Sequence, residues 1–537
     1  VFHNPATDRL EHAGSYLTGA VRQKLQEAVR AAEKDPAFAV NVAALEAVQP
    51  RLRQLGEFTV QLGASWVPPE LVQGFLRDYL GDLTLRVEHT PLYGWSIYAG
   101  KVPEERNLML GTPRVPALRI AQKVLGNSDL TVYDTEVTEN GKVTRAANDA
   151  DTRAVRQKAD AMRSAFEAYV TGTRERATVL VEAFNEVMNG HVVRNYDGLS
   201  PTLDGLTTER TPHAHQLAAA ARMQYERSVI LAHEVGLGKT TTMVLGAMAL
   251  KASQQVTKPV VVVPNHLAQQ WYDEASFLYP NADILLITSE DLAEDRRRAT
   301  LEYLRSNTPD LVIFTEPAFT SVRMSPEHQE RYIFGEVERL KEQIKREKAE
   351  AGVRLQQSRL QERLERFEAE IRTADAPMRR PGEVYWDDLG FDYLLIDEAH
   401  RFKGLGIKSR LAYSQSKIKA LDLHQKLDHL HQLRPDKPVV TLATGTPLTN
   451  SISEMHTLLR YAAPWILRQY GCEGFDEWAA LFGKTKVRLE MAPDGSGVRL
   501  VERFSEFTNL TALSTQWRLI TDVKTADEVG IKRPTIA

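Results

Sequence analysis

From about residue 205 onward, short runs that are apolar on both faces alternate with helical segments: 229–232, 260–263, 284–288, 311–315, 393–396 and 439–443. A strand without a polar face has to be covered on both sides, which is the situation of parallel sheets with crossover helices on each face. The pattern therefore predicts an α/β fold, a doubly wound parallel sheet. At 537 residues the chain has room for about three domains, with 43% apolar and 26% charged residues, as in ordinary globular proteins. Lys and Arg number 67 against 71 Asp and Glu, so any basic surface must be local. The lone Cys472 excludes a disulfide framework and cysteine-based zinc or iron–sulfur sites. No apolar run approaches the roughly 18 residues of a membrane span. Val1-Phe2-His3-Asn4-Pro5 has neither the basic nor the apolar part of a signal peptide, so a cytoplasmic protein is expected.

Around this unit the chain divides into three further pieces. Residues 1–200 read as a helix-rich accessory domain with a small β element. An amphipathic segment covers 22–32, and another helix covers 71–80 after Trp66-Val67-Pro68-Pro69-Glu70. Asn140-Gly141 between 131–137 and 142–145 marks a hairpin, and a helical stretch runs 151–189 with a break near Gly172. Inside the 205–470 lobe, residues 336–372 are dominated by Glu, Lys, Arg, Gln and Leu. Val337, Leu340 and Ile344 keep one register and Leu360, Leu364, Phe367 and Ile371 another, with Gly352 at the break. An inserted helical hairpin or coiled-coil arm is expected there. Residues 471–537 read as a connector, with a turn at Asp494-Gly495-Ser496-Gly497.

The chemistry concentrates in three places. His233-Glu234-Val235-Gly236-Leu237-Gly238-Lys239-Thr240-Thr241 lies between a strand and a helix. In that context backbone amides and the helix N-terminus cradle phosphates, Lys239 reaches the β/γ oxygens and Thr240 offers a hydroxyl to Mg²⁺. The strict glycine-loop pattern would put Gly at His233. Tyr393-Leu394-Leu395-Ile396-Asp397-Glu398-Ala399-His400 is an apolar strand ending in two carboxylates. Asp397 suits Mg²⁺ and Glu398 suits the polarising of an attacking water. Thr444-Gly445-Thr446-Pro447 follows a third strand, with Asn450 beyond. His213, His215, His424, His429 and His431 lack an accompanying carboxylate or cysteine pattern and are expected to be structural.

In this order the three segments resemble motifs I, II and III of superfamily 2 helicases, closest to the SNF2-like group, whose loop typically carries Asp where His233 stands. The resemblance implies a RecA-like lobe that binds ATP and Mg²⁺. His215-Gln216 resembles the upstream glutamine motif, which implies that Gln216 reads adenine. Val261-Val262-Val263-Pro264, followed by Trp271 and Glu274, resembles motif Ia, and Phe314-Thr315-Glu316 resembles motif Ib. By the same resemblance Pro264, Asn265, His266 and Thr315 lie against nucleic-acid backbone. His400, Thr444, Gly445 and Thr446 couple hydrolysis to that binding.

Flanking segments narrow the match. Tyr16-Leu17-Thr18-Gly19 with Val21-Arg22-Gln23-Lys24-Leu25, Leu62-Gly63-Ala64-Ser65-Trp66-Val67-Pro68-Pro69, and Asp522-Val523-Lys524-Thr525-Ala526-Asp527 resemble large phage and plasmid proteins that join an adenine methyltransferase to an SNF2-like helicase, including the DarB antirestriction type. The partners implied are double-stranded DNA, a second RecA-like lobe in the full-length polypeptide and a methyltransferase domain upstream. No Asn/Asp-Pro-Pro-Tyr/Phe motif occurs, and no arginine-finger pattern follows residue 470. Residues 532–535 stand about where a second lobe would begin, so the chain is expected to be the N-terminal part of a translocase, weak in hydrolysis on its own. A non-catalytic, ATP-gated DNA-binding scaffold and an RNA remodeller are the alternatives.

Overall fold

The computed structural model describes residues 1–90, 94–128, 130–137, 143–335, 379–380, 382–408, 413–414, 417–447, 453–491 and 498–530. The expected arm at 336–372 lies outside the described residues, as do Asn140-Gly141, Asn450, the turn at 494–497 and residues 532–535.

Seven strands form the central sheet: β1 (Ser228–His233), β2 (Pro259–Val263), β3 (Ile284–Ile287), β4 (Leu311–Thr315), β5 (Tyr393–Ile396), β6 (Val440–Ala443) and β7 (Thr521–Lys524). Their order is β7-β1-β6-β5-β2-β4-β3, and each pairing is parallel. The helices around the sheet are α1 (Ala214–Tyr225), α2 (Lys239–Ala252), α3 (Ala268–Leu278), α4 (Glu294–Ser306), α5 (Ile418–Leu433), α6 (Ser453–Ala462) and α7 (Leu510–Ile520). Six of the strands are the six apolar runs of the sequence. The seventh is Thr-Asp-Val-Lys, from the segment that reads as a connector. Among the described strands it bonds to β1 alone, and such an edge strand needs no continuous apolar run.

Alternate residues of each strand feed two cores, as a period of two requires. Ile230, Val260, Val262, Phe314, Leu394 and Ile396 face one side. Leu231, Val261, Val263, Ile313, Leu395 and Ala443 face the other. The first core continues into the N-terminal region through Trp66, Phe75 and Phe184, and also takes in Trp478 from the C-terminal segment. The N-terminal region contains helices Val21–Ala32 and Pro69–Leu80, and a hairpin of Tyr133–Val137 with Val143–Ala147. Its long helical stretch breaks into Asp149–Thr171 and Arg174–Val187 around Gly172, as expected. Strands Gly483–Met491 and Val498–Phe507 pair antiparallel. Among the described residues, no helix is long and apolar enough to cross a membrane.

Helix α2 starts the site. It is buried nearly all round, which suits a central helix. At Gly246 a Cβ would run into the side chain of Met223, so the glycine lets α1 press against α2. That contact sets Gln216, on α1, beside the loop that opens α2.

Candidate nucleotide site

The loop leaves β1 at His233 and turns through two positive-φ glycines, Gly236 at +92° and Gly238 at +72°. This left-handed backbone excludes most side chains and turns amides inward, the geometry of an anion-binding nest. Lys239 Nζ donates to the His233 carbonyl oxygen at 3.2 Å. His215 Nε2 donates to the Leu237 carbonyl at 3.0 Å, and the Gln216 amide reaches the Leu237 and Gly238 carbonyls at 3.4 Å each. A Cβ on Gly238 would collide with that amide. Gln216 is 2% exposed and braces the loop from behind.

The carboxylates arrive on β5, two strands away from β1. Asp397 is 6% exposed, and both its oxygens accept hydrogen bonds, Oδ2 from Trp271 Nε1 and Oδ1 from the Glu398 amide, each at 2.9 Å. Burial pushes its carboxyl above the ordinary range. The Trp271 N–H opposes that shift, the Glu398 charge adds to it, and the Glu398 amide and the Lys239 charge pull it back. Glu398 itself adopts φ +49°, ψ +48°. A left-handed non-glycine costs of order 1 kcal/mol or more and persists only where its surroundings impose it. His400 Nδ1 lies 3.0 Å from the Glu398 carboxylate.

Strand β6 runs between β1 and β5, so Thr444–Thr446 emerges between loop and carboxylates. A Cβ on Gly445 would stand 3.0 Å from Val235 Cγ2 and 3.6 Å from Lys239 Nζ, a closeness that glycine permits. Thr444 is fully buried and accepts the Thr446 amide at 3.1 Å. Lys403, just past His400, donates to the Thr446 carbonyl at 2.8 Å and pairs with Glu454 at 2.8 Å. The sequence reading missed Lys403, which stands outside the three motif segments.

One expected site residue points elsewhere. The Thr241 hydroxyl donates to Glu274 on α3, away from the loop opening, and Glu274 also pairs with Arg210 at 3.2 Å. Val235, by contrast, is 78% exposed at the loop tip. Asn265 and His266 are exposed on the turn after β2, whereas Pro264 is buried. Thr315 ends the adjacent β4, is 3% exposed, and its hydroxyl has no hydrogen-bond partner among the described residues. Glu316, next in line, receives Arg401 and Lys419, each at 2.6 Å.

Residues 223–525 match a family model described as a probable helicase domain. The chain belongs to this helicase family. Residues 61–190 match a second model, a domain of unknown function designated DUF8437. Defense against restriction protein B of Escherichia phage P1 is 26% identical over 443 residues, 73% of this chain and 19% of that protein. The DarB-type resemblance of the flanking segments is thereby borne out. A transcriptional regulator ATRX homolog of Caenorhabditis elegans is 24% identical over 249 residues, 44% of this chain and 14% of that protein. The chain thus spans less than a fifth of either relative. Among solved structures, the Sulfolobus solfataricus SWI2/SNF2 ATPase core aligns with TM-scores of 0.33 in complex with dsDNA and 0.31 alone. The identities are 16% and 12%, over 62% of this chain and 48% and 46% of those chains.

Proposed function

We propose that this helicase-family chain is the ATP-binding lobe of an ATP-dependent DNA translocase. The observation that carries the reading is the convergence of the glycine loop, Asp397-Glu398 and Thr444–Thr446 at the same ends of β1, β5 and β6. Ligands of open parallel sheets bind at those ends.

The roles follow from chemistry and position. The amides of Gly236, Leu237, Gly238, Lys239 and Thr240 face the phosphates, with Glu234, Val235 and Thr241 shaping the loop around them. Lys239 exchanges the His233 carbonyl for β/γ-phosphate oxygens. Gln216 turns its amide from the loop carbonyls toward adenine. Thr240 and Asp397 hold Mg²⁺, which when bound supplies charge neutralisation across the phosphates. The donor set fits: Thr240 offers a hydroxyl, and each Asp397 oxygen accepts one hydrogen bond, from Trp271 and from the Glu398 amide, out of the roughly four acceptor sites of a carboxylate. Mg²⁺ characteristically takes one or two carboxylates and fills its shell with water and substrate phosphate. Glu398 orients and polarises the attacking water. His400, Thr444, Gly445 and Thr446 relay the state of the site toward nucleic acid. Pro264, Asn265, His266 and Thr315 mark that second face.

Arginines that stabilise the transition state would come from a second RecA-like lobe of a longer polypeptide, a contribution worth roughly 10³–10⁵ in rate in related NTPases. Double-stranded DNA as the track rests on the SNF2-like motifs. A role in antirestriction, alongside an upstream methyltransferase, rests on the kinship to the phage P1 protein.

The test is steady-state ATPase of this chain and of a longer form carrying sequence beyond residue 537, each without nucleic acid and with duplex DNA, single strands or RNA. Duplex-stimulated turnover by the longer form and slow turnover by this chain are expected. Fast duplex-stimulated turnover by this chain alone would contradict the two-lobe reading, and stimulation by RNA alone would contradict the choice of DNA.

A further inference from the structure

Helix α3 backs the candidate site with two polar contacts from residues three apart, hence on one face. Trp271 is 2% exposed, packed in the core that contains Val261, Val263 and Leu395. Its indole N–H crosses 126 residues of sequence to reach Asp397 Oδ2 at 2.9 Å. One turn along, Glu274 accepts the hydroxyl hydrogen of Thr241 at the start of α2. One helix therefore touches both walls of the site, the carboxylate strand and the loop helix.

A buried tryptophan finds a partner for its N–H, but a carboxylate is a consequential choice. Hydrogen bonds to ionised acceptors are shorter and roughly twice as strong as neutral ones. Asp397 has about four acceptor sites. One on each oxygen is already taken, by Trp271 and by the Glu398 amide, which fixes the plane of the carboxylate and leaves the others open. Partners that orient a metal-binding carboxylate in this way are worth about 10–100-fold in metal affinity or activity.

We infer that Trp271 is a positioning residue that orients Asp397 for Mg²⁺, and that Glu274 does the same for the loop helix through Thr241. Helix α3 then sets the spacing between the two walls of the site. The inference rests on the proposed nucleotide reading and deepens it.

The test follows binding of a fluorescent mant-ATP, in EDTA and across a Mg²⁺ titration. Trp271→Phe keeps an aromatic ring and removes the N–H. It should leave affinity in EDTA within about twofold of wild type and raise the Mg²⁺ midpoint about tenfold. Leu278→Ala is the control for lost packing. It lies on α3, fully buried, one turn beyond Glu274 and making neither of these polar contacts, and should lower the unfolding temperature without moving the Mg²⁺ midpoint. Glu274→Gln should weaken mant-ATP binding equally with and without Mg²⁺, because it acts through the loop. In an Asp397→Asn background, Trp271→Phe should add no further shift. An unchanged Mg²⁺ midpoint in Trp271→Phe, or an equal shift in Leu278→Ala, overturns the assignment. Absence of Mg²⁺-dependent binding in the wild type would instead overturn the nucleotide reading, and this inference with it.

Discussion

His233 Nε2 lies 2.6 Å from Asp522 Oδ2, joining the first residue of the glycine loop to the edge strand β7 across 289 residues of sequence. His233 is fully buried. Arg222 approaches the other carboxylate oxygen at 3.7 Å and donates to the Thr521 carbonyl at 2.9 Å. The Glu234 amide donates to the Lys524 carbonyl at 3.0 Å, and the Ala526 amide to the Glu234 carboxylate at 2.8 Å. The resemblance puts an Asp at position 233. Here the carboxylate comes from the neighbouring strand and the loop carries its partner. Loop and outgoing chain are thus one hydrogen-bonded unit.

Removing Asp522 leaves His233 and Arg222 without their carboxylate in a buried place. Asp522→Ala should therefore destabilise the fold by about 3 kcal/mol, read by urea unfolding, and a loss below about 1 kcal/mol would contradict the role given to the pair. The double change His233→Asp with Asp522→His should recover part of that loss. Burial alone would raise the Asp522 carboxyl. The hydrogen bond and charge of His233, with the charges of Arg222 and Lys524, outweigh it and hold the carboxyl below its ordinary range. Its stabilising contribution is accordingly present above the unfolded value of about 3.9 and lost as pH falls through the folded one.

Two further histidines predict an earlier loss of stability in mild acid. His431 and His456 are 8% and 2% exposed. Each donates Nε2–H to a carbonyl, of Tyr461 at 2.9 Å and Glu473 at 3.1 Å, and each Nδ1 is buried with no hydrogen-bond partner among the described residues. Burial pushes them down to about 4 and about 3, respectively. Between the unfolded value near 6.5 and these folded values, the unfolded chain binds protons that the folded chain does not. Stability should fall by up to about 3 kcal/mol per pH unit below pH 6.5. Urea midpoints at pH 7, 6 and 5 check this, and a flat profile over that range would contradict it.

Lys403 offers a way to separate nucleotide binding from its coupling to nucleic acid. Its ammonium bridges the Thr446 carbonyl and Glu454 with little exposure, beside the residues assigned to coupling. Lys403→Met should leave ATP affinity within about twofold and cost about 1–3 kcal/mol of stability through loss of the ion pair with Glu454 and the bond to the Thr446 carbonyl. In a two-lobe form it should lower stimulation by DNA several-fold. An equal loss of affinity and stimulation would place Lys403 in the nucleotide site itself.

Much of the sheet was legible because six strands are apolar on both faces, and the loop because glycine at positions 236 and 238 is a backbone necessity. What escaped the sequence reading shares one cause, namely sequence distance without local signal. Strand β7 carries Asp522 and Lys524 in a run that could as well be a loop, and only its pairing with β1 makes it a strand. Trp271 and Asp397 are readable as motif residues, yet their hydrogen bond depends on β5 lying beside β2, from which the chain passes to α3. Thr241 sits in a phosphate-loop pattern, but helical geometry turns its hydroxyl toward Glu274 instead. In residues 1–200 local periodicity predicted the helices, while no chemical motif was present to assign a role.

The most direct test of the central claim is calorimetric titration of this chain with ATP in the presence of Mg²⁺. The account predicts saturable binding at one site per chain, abolished by Lys239→Ala, which removes the ammonium now resting on the His233 carbonyl. Asp397→Asn should weaken binding in Mg²⁺ far more than in EDTA. Absence of binding by the wild-type chain, or unchanged affinity in Lys239→Ala, would contradict the account.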